Sequence, residues 1–207
     1  LFFFFKEMVE AGIFDEFISY THFTAIVNCG LENNEIKWTK NFIKLYKNKL
    51  VTETAEAKTY IAAYHNALLF FYENQLKKAK YLLTSNYPDN YYYLERKILL
   101  LKIYYQNNDT HDVDEFDKEL KAVKMYLSRD KQLSAYNKNA YKNFAHYLEK
   151  LYKLREKFAL NVRKLPKILI SETQQLNEQV KTAQPILHMA WLLDKFIALL
   201  SITEKKS

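Results

Sequence analysis

Glycine, proline and cysteine are scarce in this chain. Its 207 residues include two Gly, three Pro and one Cys. Sheet proteins of this length use many more turn residues, because tight hairpins need glycine or asparagine at positive φ. Helix interiors disfavour both glycine and proline. The scarcity therefore predicts an all-α protein whose helices are joined by short polar loops.

The single cysteine, Cys29, excludes a disulfide framework and a cysteine-based zinc site. It falls in an apolar helical pattern, which predicts a small core residue. The five histidines are scattered over different segments, and the chain has no Gly-rich phosphate loop, nucleophile elbow or His-Glu-x-x-His motif. We therefore expect no catalytic residue, no metal and no cofactor, in a protein that is not an enzyme.

An acidic run over residues 109–117 is the segment most suggestive of calcium. It lacks the central glycine and the terminal glutamate of an EF-hand loop. Carboxylates also stabilise the N-terminus of a helix. We interpret the run as a loop followed by a helix start.

The chain opens on Leu1 and four phenylalanines rather than on Met. This apolar run is too short to cross a membrane, and the charged residues Lys6 and Glu7 follow it at once. It also lacks the basic segment and the cleavage site of a signal peptide. We interpret the sequence as part of a longer protein and expect no membrane span.

Apolar residues recur with a helical period along nearly the whole chain. Thr52 and Asp89 are expected to cap the helices that follow them, and each proline lies near a predicted helix start. No linker rich in Gly, Ser or Pro divides the chain, which predicts a single domain over residues 1–207. The predicted helices span residues 3–11, 14–32, 34–49, 53–73, 75–85, 89–107, 112–128, 132–159, 166–183 and 185–202.

A repeat underlies these helices. The segment that starts at Leu31 aligns with the segment that starts at Tyr72, since each combines a helix end, a polar corner and an amphipathic return helix. Hairpin units of about 33–40 residues are typical of an α-solenoid. We expect about four stacked antiparallel hairpins with extra terminal helices. The predicted repeats cover residues 14–50, 53–87, 89–130 and 132–183.

One hairpin carries a distinctive set of residues, which are Asn66, Ala67, Phe70, Ala79 and Leu83. The set resembles the tetratricopeptide family, in which a small residue of the first helix packs on a small residue about twelve positions later. Ala67 and Ala79 have that spacing, and Val27 and Thr39 occupy the equivalent places one repeat earlier. The resemblance covers residues 14–160 and implies a scaffold or adaptor that binds a protein or peptide.

The resemblance also implies a binding surface, because such solenoids usually bind peptides on a concave face lined by the first helix of each hairpin. The partner-binding residues predicted from the repeat alignment and the charge pattern are Tyr64, Phe71, Lys97, Tyr104, Lys142, His146, Lys150 and Lys153. Family members that clamp a C-terminal carboxylate need Lys, Asn and Arg where this chain has Thr24, His65, Leu94 and Ile98. We therefore do not expect a clamp for a peptide's terminal carboxylate.

The net charge of +7 is concentrated in one segment. Residues 138–167 contain nine Lys or Arg and two Glu, so the charges of the rest of the chain sum to zero. A stripe along its long predicted helix consists of Lys142, His146, Lys150, Lys153 and Lys157. The stripe is either a solvated helix face or a surface for acidic peptide, phosphate or nucleic acid. The alternative function is therefore a nucleic-acid-binding or regulatory helical domain.

Aromatic residues are abundant, with 17 Tyr and 14 Phe. Aromatic side chains between lysines can stack on nucleic-acid bases. Most of them, for instance Tyr60 and Phe70, fall on apolar stripes, which favours packing between helices.

The last predicted helix, residues 185–202, is apolar on most sides. The end helix of a solenoid usually has a polar outer face, and an apolar helix must be covered. We expect Trp191 and Phe196 to be mostly buried, either against the preceding helices or across a homodimer contact.

Overall fold

The computed structural model describes residues 1–83, 90–107, 112–161 and 166–204. These ranges are mostly helical, which confirms the predicted all-α class. Their helices and strands are α1 (Phe2–Glu10), β1 (Ile18–Ser19), α2 (Tyr20–Glu32), α3 (Ile36–Tyr46), β2 (Leu50–Val51), α4 (Ala55–Tyr72), α5 (Leu76–Leu82), α6 (Asn90–Gln106), α7 (Asp112–Arg129), α8 (Ala135–Leu160), α9 (Lys167–Thr182) and α10 (Met189–Glu204). The predicted cap Asp89, the start of the acidic run and residues 162–165 of the basic segment lie outside the described residues.

The chain divides into two compact units, Leu1–Phe116 and Asp117–Ser207, and each is described by itself. In the first unit α2 packs against α3 and α4, and α4 packs against α5 and α6. In the second unit α8, α9 and α10 pack against one another. The interpretation of residues 1–207 as a single domain stays a prediction.

The hairpins α2–α3 and α4–α5 are closed by the same turn. Asn34 and Asn74 have φ angles of 61° and 57°, in the left-handed region that asparagine tolerates better than most residues. In both turns the next residue donates its N–H to the carbonyl oxygen five positions earlier, at 2.9 and 2.8 Å. The two turns therefore align Asn34 with Asn74, an offset of 40 residues. The sequence alignment of Leu31 with Tyr72 has an offset of 41 residues, so the structure shifts it by one position.

Small residues lie inside both hairpins, at the positions that the tetratricopeptide pattern predicts. Val27, Thr39, Ala67 and Ala79 are all 0% exposed. The first hairpin is especially tight, because a Cβ added to Gly30 would lie 2.2 Å from Thr39 Oγ1. The glycine thus makes room for the threonine.

Replacing Gly30 with alanine should lower the free energy of unfolding of the first unit by about 1–3 kcal/mol, because the new methyl group overlaps Thr39. In a Thr39→Ala background the same change should cost much less, since alanine is also the better helix former. Urea unfolding followed by Trp38 fluorescence, with Trp191 replaced by Phe, gives the double-mutant cycle. An equal cost of Gly30→Ala in both backgrounds would contradict the close contact.

The structure corrects the predicted helix over residues 14–32. Ile18–Ser19 forms a strand that pairs in parallel with Leu50–Val51. Each strand begins with a buried aliphatic side chain, so the apolar spacing before residue 20 reflects a strand partner rather than a helix face. Helix α2 begins only after this pair, where the Ser19 hydroxyl accepts the N–H of His22 at 3.3 Å.

Two further predictions at helix starts are wrong. The hydroxyl that caps α4 belongs to Thr54, whereas the Thr52 hydroxyl donates to the Thr54 carbonyl oxygen. The last helix begins at Met189 rather than at residue 185. The segment before it is bound to α8 instead, since Asn143 Nδ2 donates to the Pro185 carbonyl oxygen at 2.7 Å.

Helix α10 packs against α8 and α9 through its buried side chains Leu192, Phe196 and Leu199. The side chain of Phe196 is 0% exposed, as predicted, whereas Trp191 is half-buried with its ring 6.3 Å from that of Phe144. Packing within the second unit therefore covers Leu192, Phe196 and Leu199 and part of Trp191. A homodimer contact through residues 185–202 stays a prediction.

Candidate functional site

The basic segment forms most of α8, which has 26 residues. The Ser134 hydroxyl caps its first turn by accepting the N–H of Asn137 at 3.2 Å. One side of the helix is buried through Tyr141, Phe144, Ala145, Leu148, Leu151, Tyr152 and Phe158, the stripe that the sequence predicts. The basic stripe lies on the other side, where Lys142, His146, Lys153 and Lys157 are exposed and Lys150 is half-exposed.

Helix α9 runs antiparallel to α8 and packs along it. Near the end of α8, Lys157 Nζ lies 3.3 Å from Glu172 Oε2 in the first half of α9. Asn143, early in α8, binds the carbonyl oxygen of Pro185 beyond the end of α9. The apolar side of α9 is buried through Leu169, Thr173, Leu176 and Val180. The polar flank of α9 therefore lies beside the basic flank of α8.

A groove of about 290 Å³ lies between these two flanks. One wall carries three ammonium groups, those of Lys150, Lys153 and Lys157. The other wall carries Glu172, Gln175 and Gln179, and the buried side chains Leu154 and Leu176 lie at its base. We call this site the α8–α9 groove. It combines cations, carboxamides that both donate and accept hydrogen bonds, and one carboxylate.

Carboxylates of the chain itself bind several lysines of the basic surface. Glu149 accepts hydrogen bonds from Lys124 on α7 at 2.6 Å and from Lys153 at 3.0 Å. The bond from Lys124 is the main reason that the pKa of Glu149 is lowered, and the bond from Lys153 adds to it. These lysines are 48% and 64% exposed, so each ion pair is worth about 0–1 kcal/mol and can be exchanged for a ligand's carboxylate.

The pKa of His146 is lowered chiefly by partial burial and, to a smaller extent, by nearby lysines. Partial burial lowers the pKa of its imidazole, and the charges of Lys150 and Lys124 lower it further against the opposing effect of Glu149. Cations thus affect His146 from both α7 and α8. An anion bound here would be attracted by the same charges.

The structure separates the eight predicted partner-binding residues into two groups. Lys150 and Lys153 line the α8–α9 groove, and Lys142 and His146 lie on the same side of α8 nearer its start. The other four lie in the first unit, as Tyr64, Phe71, Lys97 and Tyr104.

In that first unit the three aromatic residues of the predicted surface are packed inside. Tyr64, Phe71 and Tyr104 are 5%, 7% and 4% exposed. The Tyr64 hydroxyl donates to Glu95 Oε2 at 3.3 Å, and Lys97 is half-buried with its Nζ 5.6 Å from the Tyr93 ring centroid. Since these aromatic side chains present little surface, we leave them out of the candidate site.

Sequence reasoning missed the wall of the groove on α9 and the lysine on α7. Glu172, Gln175 and Gln179 follow one another at spacings of three and four residues, which places them on one polar flank of a helix. That pattern was visible in the sequence, but its position beside α8 was not. Lys124 carried no local signal, because its partner Glu149 lies 25 positions away.

The described ranges contain no group of three or more His, Cys, Asp and Glu side chains placed to hold a metal ion. Their four histidines belong to separate elements: His22 to α2, His65 to α4 and His146 to α8, with His188 just before α10. None of the helices in those ranges combines the length and the apolar composition needed to span a bilayer.

Comparison of the chain with protein-family models, with curated proteins and with solved structures finds no match in any of the three.

Proposed function

We propose that this protein is a non-catalytic interaction module, a tetratricopeptide-like scaffold or adaptor that binds an acidic segment of a protein partner. The observation that carries the proposal is the α8–α9 groove, with three lysines on one wall and two glutamines on the other. Ammonium groups attract carboxylates, and carboxamides satisfy the polar groups of a peptide backbone.

The repeat architecture within this proposal is supported by the first unit. The hairpins α2–α3 and α4–α5 share the left-handed asparagine, the hydrogen bond that closes the turn and the buried small residues. Successive hairpins of this kind stack to form an α-solenoid, because one hairpin leaves an apolar face uncovered. Stacked repeats of this kind create extended binding surfaces, so the architecture and the groove favour the same class of function.

The groove favours a peptide over a nucleic acid. A phosphodiester backbone brings hydrogen-bond acceptors and negative charge, but it has no N–H groups to donate to Glu172 and to the carboxamide oxygens of the groove. A peptide backbone brings donors as well, which Glu172 and the carboxamide oxygens of Gln175 and Gln179 can accept. Nucleic acid remains the second candidate, because the whole charge excess of the chain lies in this segment.

Charge reversal of two groove lysines tests the proposal. For the variant Lys150→Glu with Lys153→Glu we expect the affinity for a fluorescent Glu-rich peptide to fall by about a hundredfold, about 2.7 kcal/mol, in fluorescence anisotropy. Each substitution removes an exposed attraction worth about 0–1 kcal/mol and replaces it with a repulsion of similar size. The matched control is Lys37→Glu with Lys44→Glu, which changes the net charge equally at two exposed sites of α3.

The control variant should bind the peptide as the wild type does, and the circular dichroism spectra of both variants should be unchanged. Equal losses in the two variants would show that net charge, not the groove, governs binding. A mixed oligonucleotide that displaces the peptide, with a log–log salt slope near about −0.9 per phosphate, would favour the nucleic-acid function instead.

A further inference from the structure

We infer that the α8–α9 groove selects an extended peptide segment in which two acidic residues are separated by one other residue. This inference rests on the proposed function and adds the conformation and the sequence pattern of the ligand. Three features of the groove lead to it, namely the spacing of its lysines, the spacing of its glutamines and the ion pair between Lys157 and Glu172.

The lysine wall repeats at the period of an extended chain. Lys153 and Lys157 are four residues apart on α8, which corresponds to about 6 Å along the helix axis. In an extended peptide, side chains two residues apart point to the same side and lie about 6.6 Å apart. Two carboxylates at such positions therefore face these two lysines.

The glutamine wall repeats at the same period. Gln175 and Gln179 are also four residues apart, about 6 Å along α9. An extended backbone presents an N–H and a C=O towards one edge at every second residue, again about 6.6 Å apart. Each carboxamide has one group that donates and one that accepts, so the two glutamines can bind two successive backbone pairs.

The glutamine wall favours an extended ligand over a helical one, whose side chains at i and i+4 would also match the lysine spacing. In a helix the backbone N–H and C=O groups are bonded to one another within the ligand. Only an extended backbone has these groups free for Gln175 and Gln179.

Glu172 shows where one carboxylate of the ligand would bind. Its carboxylate pairs with Lys157 at 3.3 Å while both side chains are about half exposed. In the complex, a ligand carboxylate takes the place of Glu172 at this lysine. The groove thus contains, in the free protein, a substitute for one of the two acidic side chains that it selects.

Isomeric peptides test the inference. Three peptides of the same composition each contain two glutamates among serines and threonines. In the first peptide the glutamates are adjacent, in the second one residue separates them, and in the third three residues separate them. At physiological salt, NMR titration should give at least tenfold tighter binding for the peptide with one intervening residue. Replacing both Gln175 and Gln179 with alanine should remove this preference, whereas Gln174→Ala, an exposed change beside the groove, should leave it intact.

The outcomes separate the inference from the proposed function. Equal binding of all three peptides, or a preference for the separation that suits a helix, overturns the inference and leaves an acidic-peptide site in place. Binding of none of the peptides, nor of the longer Glu-rich peptide, overturns the proposed function itself. A preference that survives in the Gln175→Ala, Gln179→Ala protein contradicts the role of the glutamine wall.

Discussion

Replacing Phe196 with alanine is expected to lower the free energy of unfolding of the second unit by about 3–5 kcal/mol. Its ring is 0% exposed, where α10 packs against α8 and α9. The substitution removes the free energy gained by burying the aromatic ring, and it leaves a cavity that the surrounding helices fill only in part. A loss of this size is a large fraction of the stability of a typical domain.

Ile197 provides the matched control, because it is the next residue of the same helix and is 55% exposed. The change Ile197→Ala should alter the free energy of unfolding by less than about 0.5 kcal/mol. Urea unfolding can be followed by the fluorescence of Trp191, in a Trp38→Phe background that removes the signal of the first unit. Equal effects of the two substitutions would contradict the packing of α10 on its neighbours.

Acid should destabilise the first unit through His65. The imidazole is 0% exposed, and its Nδ1–H donates to the Ile61 carbonyl oxygen at 2.7 Å. The rings of Phe23 and Tyr64 lie 5.2 Å away, and Nε2 has no hydrogen-bond partner among the residues that the structure describes. Burial lowers the pKa of His65 from 6.5 to about 4, against smaller opposing effects of Ile61 and Glu95.

A lowered histidine pKa means that the unfolded chain binds a proton more readily than the folded one. The contribution of neutral His65 to stability is therefore complete above pH 6.5 and is lost as the pH falls towards about 4. The loss amounts to about 3 kcal/mol, at 1.36 kcal/mol for each unit of pKa.

The measurement compares the wild-type side chain with His65→Phe, a ring of similar size that does not titrate. Both proteins carry Trp191→Phe, so that Trp38 reports unfolding of the first unit. Between pH 7 and pH 4 the free energy of unfolding should fall by about 3 kcal/mol more with histidine than with phenylalanine. Parallel pH profiles would show that His65 does not titrate as a buried neutral group.

The helices themselves were predictable because their signal is local. The predicted helix boundaries are wrong where a segment pairs with residues far away in the sequence, most clearly before α2. There Phe14, Phe17 and Ile18 follow the apolar spacing of a helix, yet Ile18 pairs with Leu50 in a strand. A pattern over neighbouring residues does not contain that pairing.

The burial of the aromatic residues on the predicted binding surface has a related cause. Helices α4 and α6 carry large apolar side chains on more than one side, so their sequences do not define a single buried face. Tyr64 and Tyr104 were assigned to an open concave face by repeat alignment, but neighbouring helices cover them. On α8 the buried and basic stripes lie on different sides, as the sequence predicts. Whether the basic stripe binds a partner stays a prediction.

The amino-acid sequence by itself determined the helical class, the polar corners at Asn34 and Asn74 and the basic stripe of α8. Each depends on residues within a few positions of one another. Only the tertiary structure decided that Lys153 lies across a groove from Gln175 and that Glu149 binds Lys124 of another helix. The physical reason is that the rotation of each helix about its axis is set by the burial of its apolar side, and burial depends on its neighbours.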